Sequence, residues 1–200
     1  MRNKHKVRFL FNPFIKIAGS KAAFIGLIAL IISSWLNSVY NVHLGGVIDI
    51  YLVKNLSLKT AVSENLVIVA TLVIVFGLIL YFLKGLRFRI IDLVGLVLFS
   101  RIPFVLAPFL GSLIPKEKLQ HLLEAAENIS SPQGLEGIQN ELVLISLIGF
   151  VMLLLVVLFI IWLYNAFVLL NNEKGLKVNL LFAVGLVVSE IVSKIIITFI

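Results

Sequence analysis

The sequence contains no cysteine, so disulfide bonds, cysteine-ligated metals and a thiol nucleophile are excluded. Charge is also scarce, because Asp, Glu, Lys and Arg make up only 14% of the 200 residues, whereas 60% are hydrophobic. A soluble globular domain has about 25% charged residues and less than half apolar ones. The composition therefore predicts an integral membrane protein.

Familiar catalytic motifs are absent as well. The sequence has no HExxH motif, no Gly-x-Ser-x-Gly nucleophile elbow, no P-loop and no pair of aspartates within an apolar run. Glu117, His121 and Glu124 are ligand-type residues at helical spacing, but a solvated helix face explains them more simply than a metal site. We therefore expect a non-enzymatic protein with no cofactor and no metal.

What the sequence does contain is a set of five long apolar runs, at residues 20–40, 65–83, 92–114, 142–164 and 178–200. A helix rises about 1.5 Å per residue, so about 20 residues cross a hydrocarbon core of about 30 Å. The runs are apolar on every face, whereas the strands of a membrane barrel would alternate. The sequence predicts an all-α, polytopic bundle of five transmembrane helices.

The basic residues indicate how this bundle is oriented. The amino-terminal segment carries six cations and no acid: Arg2, Lys4, Lys6, Arg8, Lys16 and Lys21. The connections after the second and fourth runs are also basic, whereas the other two connections carry at least as many acids as bases. Lys and Arg mark cytoplasmic segments, so we expect the amino terminus inside and the carboxyl terminus outside. The net charge of +7 follows this distribution, so the expected partner is the lipid bilayer and not nucleic acid.

Two segments outside the runs have a character of their own. Residues 1–19 form a basic cytoplasmic or interfacial segment, in which Asn12 and Pro13 are a predicted helix start. Residues 20–200 form the five-span membrane domain. Within it, the outer loop 115–141 has apolar residues at helical spacing and predicts an amphipathic surface helix.

The third run contains the most unusual residues. Pro103 and Pro108 lack an N–H group and should kink this helix, and Arg101 just before them lies near the bilayer centre. An unpaired cation there costs roughly 2.5–3.5 kcal/mol on insertion scales, so Arg101 should face the bundle interior and meet an anion. Glu190 in the fifth run has a similar depth, and Lys194 is near enough to the outer end to snorkel and leave Glu190 free. We favour an Arg101–Glu190 ion pair that fixes the helix arrangement; the alternative is a polar site for a substrate or a proton.

A second candidate contact lies just outside the first run. His43 and Asp49 bracket Gly45 and Gly46 in the outer loop. This segment could hold the loop against the bundle, bind a ligand, or simply turn the chain. The two glycines favour a turn.

Four local sequences resemble bacterial members of the Yip family: Phe11–Phe14, His43–Asp49, Asp92–Pro103 and Trp162–Phe167. This family comprises five-span membrane proteins, and its eukaryotic members interact with Rab proteins. The Asp-Leu-Tyr-Gly-Pro signature of those eukaryotic members is not present here. The resemblance implies a multi-pass protein of the bacterial cytoplasmic (inner) membrane without an established reaction.

Two functions are compatible with these features. The first is a non-enzymatic scaffold or adaptor that acts through protein–protein and protein–lipid contacts, with other membrane proteins or further copies of the chain as partners. The alternative is a transporter or permease component that uses the kinked third span around Arg101. An odd number of spans and the lack of visible similarity between the two halves favour the scaffold.

Overall fold

The computed structural model of the protein describes residues 11–53, 55–84, 88–113 and 139–200. The chain is mostly helical, as the sequence predicts, with one short β-hairpin among the described residues. In chain order the helices and strands are α1 (Gly19–Tyr40), β1 (Val42–Leu44), β2 (Ile50–Leu52), α2 (Leu58–Lys84), α3 (Ile90–Ser100), α4 (Ala107–Ser112), α5 (Gln139–Asn171) and α6 (Leu176–Ile197). Short 3-10 turns lie at Pro13–Ile15 and Ile102–Leu106.

Five stretches of the described chain are helical, long and apolar enough to cross a membrane, which confirms the prediction of five such helices. Four of these candidate spans are single helices. The third, Ile90–Ser112, joins α3, the second 3-10 turn and α4. The fourth continues to Asn171, beyond the end of the apolar run at residue 164.

The second helix begins earlier than its apolar run does. Its first residue is Leu58, whereas the run covers 65–83. The reason is a local cap: the Ser57 hydroxyl accepts the N–H of Thr60 at 3.0 Å, which satisfies a backbone donor that the first helical turn leaves free. Glu64, assigned by sequence to a connection, therefore lies inside α2 and within a candidate span.

The third span is interrupted where its two prolines predict a kink. Helix α3 ends at Ser100, whose hydroxyl donates a hydrogen bond to the Leu96 carbonyl at 2.7 Å. The chain then continues as a 3-10 turn that contains Pro103, and Pro108 lies in the first turn of α4. Because proline has no N–H and its ring clashes with the preceding turn, a regular α-helix cannot pass through both positions.

Close packing of α1 on α3 and a group of aromatic rings hold the bundle together. A Cβ atom at Gly26 of α1 would lie 2.6 Å from the backbone of Leu98, so this approach of two backbones requires glycine. On the other side, the Phe76 ring of α2 lies 5.3 Å from Phe167 of α5 and 5.6 Å from Phe182 of α6. Such ring pairs add about 0.5–1.5 kcal/mol beyond the burial of their area.

The helices alternate in direction, so the bundle has two distinct ends. One carries the hairpin between α1 and α2, and α6 also ends there, because Lys194 lies 3.0 Å from Asp49. We call this the hairpin end. At the opposite end, the amino-terminal end, Ala18 before α1, Arg89 before α3 and Leu170 in α5 surround an open cavity of about 330 Å³.

Within the described part of the amino-terminal segment, Pro13 and Phe14 are buried in the bundle. The Asn12 side chain makes no capping hydrogen bond, and Pro13 begins a 3-10 turn in place of the predicted helix. Phe14 is 5% exposed, and its ring packs edge-on against Phe99 of α3 at 5.6 Å. The Phe14 ring thus packs between α3 and α5, against Leu96, Phe99 and Ala166.

The predicted amphipathic segment at 115–141, with Glu117, His121 and Glu124, lies outside the described residues as far as residue 138. From Gln139 onward the chain belongs to α5.

Candidate functional site

The connection between α1 and α2 is a β-hairpin whose tip contains the two glycines that predict a turn. Its strands are antiparallel, with His43 opposite Tyr51, and the Gly45 N–H donates to the Asp49 carbonyl at 3.1 Å. In this register His43 and Tyr51 share one face, and their rings lie 4.6 Å apart. We refer to residues 42–52 as the hairpin.

The hairpin enters the bundle instead of lying on it. Val42, Leu44 and Val47 are each at most 1% exposed. The Val47 carbonyl accepts a hydrogen bond from Arg101, which lies near the middle of the third candidate span. Non-helical backbone at such a depth is tolerated in a membrane only where protein covers it or it lines a cavity, and every backbone polar group there needs a partner.

Glu64 of α2 supplies one of these partners. Its side chain is fully buried, and its two oxygens bind different groups of β1. Oε2 accepts the Leu44 N–H at 3.0 Å, and Oε1 lies 2.8 Å from Nδ1 of His43. Charge-assisted hydrogen bonds of this kind are about twice as strong as neutral ones. The contact also fixes the imidazole with Nδ1 toward the carboxylate.

Glu190 of α6 supplies a second partner at the hairpin tip. Its Oε2 accepts the Ile48 N–H at 2.9 Å, and a Cβ atom at Gly46 would lie only 2.6 Å from its Oε1. The prediction that Lys194 leaves Glu190 free is wrong, because Lys194 Nζ lies 3.3 Å from Glu190 Oε1 and 3.0 Å from Asp49 Oδ2. The hairpin brings Asp49 close to the end of α6. There the Lys194 ammonium group pairs with both the Asp49 and the Glu190 carboxylates.

Arg101 supplies the third partner. It is 7% exposed, and its Nη1 donates to the Val47 carbonyl at 3.5 Å. The guanidinium group also lies 4.9 Å from the Phe104 ring centroid and 5.8 Å from that of Phe159, both favourable cation–π distances. Its Nη2 is buried and has no hydrogen-bond partner among the described residues.

Arg101 and Glu190 thus both contact the hairpin tip, but they bind different groups. Arg101 binds the carbonyl of Val47, and Glu190 binds the N–H of the next residue, Ile48. In the part of the chain that the structure describes, no ion pair within 4.0 Å joins the guanidinium group to the carboxylate. The hairpin lies between the two charges that the sequence predicts to pair.

An open cleft of about 460 Å³ lies beside the hairpin at the hairpin end. Its polar lining residues are His43, Asp49, Tyr51, Lys194 and Thr198. Partial burial raises the pKa of the Tyr51 phenol, and the negative charges of Asp49 and Glu64 raise this pKa further. His43 and Asp49, which the sequence singles out together, therefore line one cleft but have different partners.

The cleft could bind a polar ligand and exchange protons with it. A buried carboxylate that orients an imidazole is a common arrangement around a general base. Here the Thr198 hydroxyl donates to the Lys194 carbonyl at 2.8 Å, so this hydroxyl is engaged within α6. Among the described residues, no group of three or more His, Asp or Glu side chains has a geometry that could hold a metal ion.

A further polar cluster, which the sequence does not predict from any motif, lies between α1 and α2. Asn65 Nδ2 donates to the Ser34 hydroxyl and to the Ala61 carbonyl, both at 3.1 Å. Ser33 and Asn37 of α1 are also buried. A signal for this cluster exists in the sequence, because small polar residues recur at helical spacing within an otherwise apolar first run.

Asp92–Pro103, the third of the four segments on which the sequence analysis bases its family resemblance, contacts the other three. Phe99 of the third segment lies 5.6 Å from Phe14 of the first and 5.6 Å from Trp162 of the fourth, measured between ring centroids. Arg101 of the third segment binds Val47 of the second.

Comparisons with family models, with curated proteins and with solved structures find no match to this chain.

Proposed function

We propose that the chain is a multi-pass protein of the bacterial cytoplasmic membrane, of the Yip-like class, that acts as a non-enzymatic scaffold or adaptor. The observation that carries this proposal is that Glu64, Arg101 and Glu190 form hydrogen bonds within the protein's own fold. All three lie within candidate spans, and each binds the backbone of the chain's own hairpin. Ionisable residues inside a membrane commonly mark a pathway for a solute. Here their hydrogen-bonding groups serve the fold.

The apolar surface of α5 supports the same proposal. Only 11% of the fourth candidate span is buried, against 61% of the third. Leu147, Phe150 and Leu153 on this helix are 61%, 58% and 57% exposed. Apolar surface of this extent has to be covered by lipid or by protein. In the proposed function, other membrane proteins or further copies of the chain cover part of it.

The proposed orientation places the amino-terminal end in the cytoplasm. Cations gather at that end in the described chain: Lys16, Lys21, Arg89, Lys174 and Lys177. The hairpin, residues 42–52, contains no Lys or Arg, which fits the outer side. A reporter fused after Ile200 should be active outside, and one inserted at Gly175 should be active in the cytoplasm. A cytoplasmic carboxyl terminus would contradict five crossings, and the interrupted third span would then be a re-entrant segment.

Photocrosslinking in native membranes tests the scaffold function. A photoreactive amino acid at Leu147 or Leu153 should yield protein adducts of defined mass, because a partner covers this face. The same amino acid at Phe159, which is fully buried on the same helix, is the matched control and should yield none. An adduct of twice the mass would identify a second copy of the chain. If both exposed positions yield lipid adducts alone, this face does not serve a scaffold.

A second candidate function is favoured by the cleft. Its volume of about 460 Å³ is within the range of small-ligand sites, and the His43 imidazole connects it to the buried Glu64. A transporter component would use this cleft as the entrance. Purified protein in liposomes that contain a pH-sensitive dye would then conduct protons, and Glu64→Gln would abolish the flux. The scaffold function predicts the same flux as in empty liposomes.

A further inference from the structure

A very small cavity lies where α1, α2 and α3 meet. Its volume is about 10 Å³, and its lining residues are Ala29, Leu30, Ser33, Asn65, Leu98 and Arg101. A cavity needs roughly 10–15 Å³ of space that the centre of a water-sized sphere can occupy if it is to hold one water molecule. No ligand larger than water fits this space. Cavities lined only by apolar groups stay dry, so the polar lining decides whether a water occupies it.

The lining offers hydrogen-bonding groups of complementary type. Arg101 binds Val47 through Nη1, whereas its buried Nη2 donors have no protein partner. Asn65 uses Nδ2 as a donor to Ser34 and Ala61, which leaves its Oδ1 as an acceptor. The Ser33 hydroxyl can donate and accept. A buried water typically makes about three hydrogen bonds to such otherwise unsatisfied groups.

We propose that one water molecule occupies this cavity and hydrogen-bonds Arg101 Nη2, Asn65 Oδ1 and the Ser33 hydroxyl. The water joins Ser33 of α1, Asn65 of α2 and Arg101, the residue that directly follows α3. It also holds the guanidinium group in the position from which Nη1 reaches the Val47 carbonyl. The water is therefore part of the support of the hairpin and independent of whether the cleft takes a solute.

A cavity-filling substitution tests the proposal by the sign of its effect. Ser33→Val in the full chain fills the space with methyl groups and removes one hydrogen-bonding group. If a water is present, the substitution expels it, and the melting temperature in detergent should fall by about 3 °C or more because Arg101 and Asn65 lose a partner. If the cavity is dry, better packing should leave the melting temperature unchanged or raise it, which would overturn the proposal. Ser33→Ala removes the hydroxyl without filling the space, so its loss should be smaller than that of the valine variant.

Radiolytic labelling in ¹⁸O-enriched water provides a measurement that does not depend on the variant folding. X-ray pulses convert bound water into hydroxyl radicals that oxidise the side chains next to it. Leu98 lines the cavity and should incorporate ¹⁸O in the wild-type protein, whereas Leu72, which is fully buried and does not line the cavity, should not. Where Ser33→Val folds, it should remove the label from Leu98. Equal labelling of the two leucines in the wild-type protein would overturn the proposal, and so would labelling of Leu98 that survives in Ser33→Val.

Discussion

The substitution Gly46→Ala tests whether the Glu190 carboxylate holds the hairpin in the bundle. A Cβ atom at this position would lie 2.6 Å from Glu190 Oε1 and 2.7 Å from Oε2, so one of the groups has to move. If the carboxylate moves, its hydrogen bond from the Ile48 N–H, now 2.9 Å long, is stretched or broken. A hydrogen bond to a charged group contributes about 1.5–3 kcal/mol. We therefore expect Gly46→Ala to lower the free energy of unfolding by about 2 kcal/mol.

The chain offers a matched control on α5. A Cβ atom at Gly149 would meet nothing within 4 Å, and the residue lies within a helix. Alanine stabilises a helix interior by roughly 0.5–1 kcal/mol relative to glycine. The same chemical change is therefore expected to raise stability slightly at Gly149 and to lower it at Gly46.

Thermal unfolding of the full chain in detergent measures both effects. The two tryptophans, Trp35 and Trp162, report unfolding by their intrinsic fluorescence. For a chain of this length 1 kcal/mol corresponds to about 2–4 °C, so Gly46→Ala should melt about 4–8 °C below the wild-type protein. In a Glu190→Ala background the cost of Gly46→Ala should largely disappear, because the clashing carboxylate is gone. Equal melting temperatures for Gly46→Ala and Gly149→Ala would refute the role given to Glu190.

Three further predictions concern the groups around the hairpin. Glu64→Ala should cost about 3–5 kcal/mol of stability in the same assay, and Glu64→Gln clearly less, because the amide retains one acceptor for the Leu44 N–H; equal losses would show that the Leu44 contact contributes nothing. Arg101→Leu and Glu190→Leu should each lower the melting temperature, and the double variant should lose less than the sum, because the two residues bind adjacent backbone groups of the same hairpin tip and either change alone loosens it; additive losses would show that the two residues are independent. The raised pKa of Tyr51 means that its contribution to stability is complete below about pH 10 and is lost as the pH rises through the raised value; in ultraviolet absorbance, Tyr51→Phe should remove a phenol that ionises above about pH 10, and removal of a phenol that ionises below this pH would contradict the shift.

Much of the helical architecture can be predicted from the sequence, because each apolar run has a transfer free energy that favours a helix of membrane length. The boundaries are less predictable. Apolarity alone places the start of the second helix at residue 65, whereas the cap at Ser57 starts it at Leu58. That difference changes Glu64 from a solvated loop residue into a fully buried one.

The site is only partly predictable. Depth along the helix predicts an Arg101–Glu190 ion pair, whereas in the structure both residues bind backbone groups of the hairpin tip. Depth does not indicate that a backbone segment supplies their partners, because the length of chain before α2 does not distinguish a loop on the surface from a hairpin within. The Val47 carbonyl and the Ile48 N–H need hydrogen-bond partners in both cases, whether these partners are water or protein. The close fit of Gly46 against the Glu190 carboxylate favours the hairpin within the bundle over a loop on its surface. This fit is a tertiary contact, so it leaves no local pattern in the sequence.

The hairpin has a consequence for the order in which the protein is assembled. The bond between Ile48 and Glu190 joins residues that are 142 positions apart in the chain. At about 5–20 residues per second, a ribosome needs on the order of 10 s to synthesise the chain between them. Throughout that time the Ile48 N–H at the tip of the hairpin lacks the carboxylate that accepts its hydrogen bond. The last helix of the chain therefore completes the first loop, and a chain that is cut short before Glu190 leaves this N–H without its acceptor.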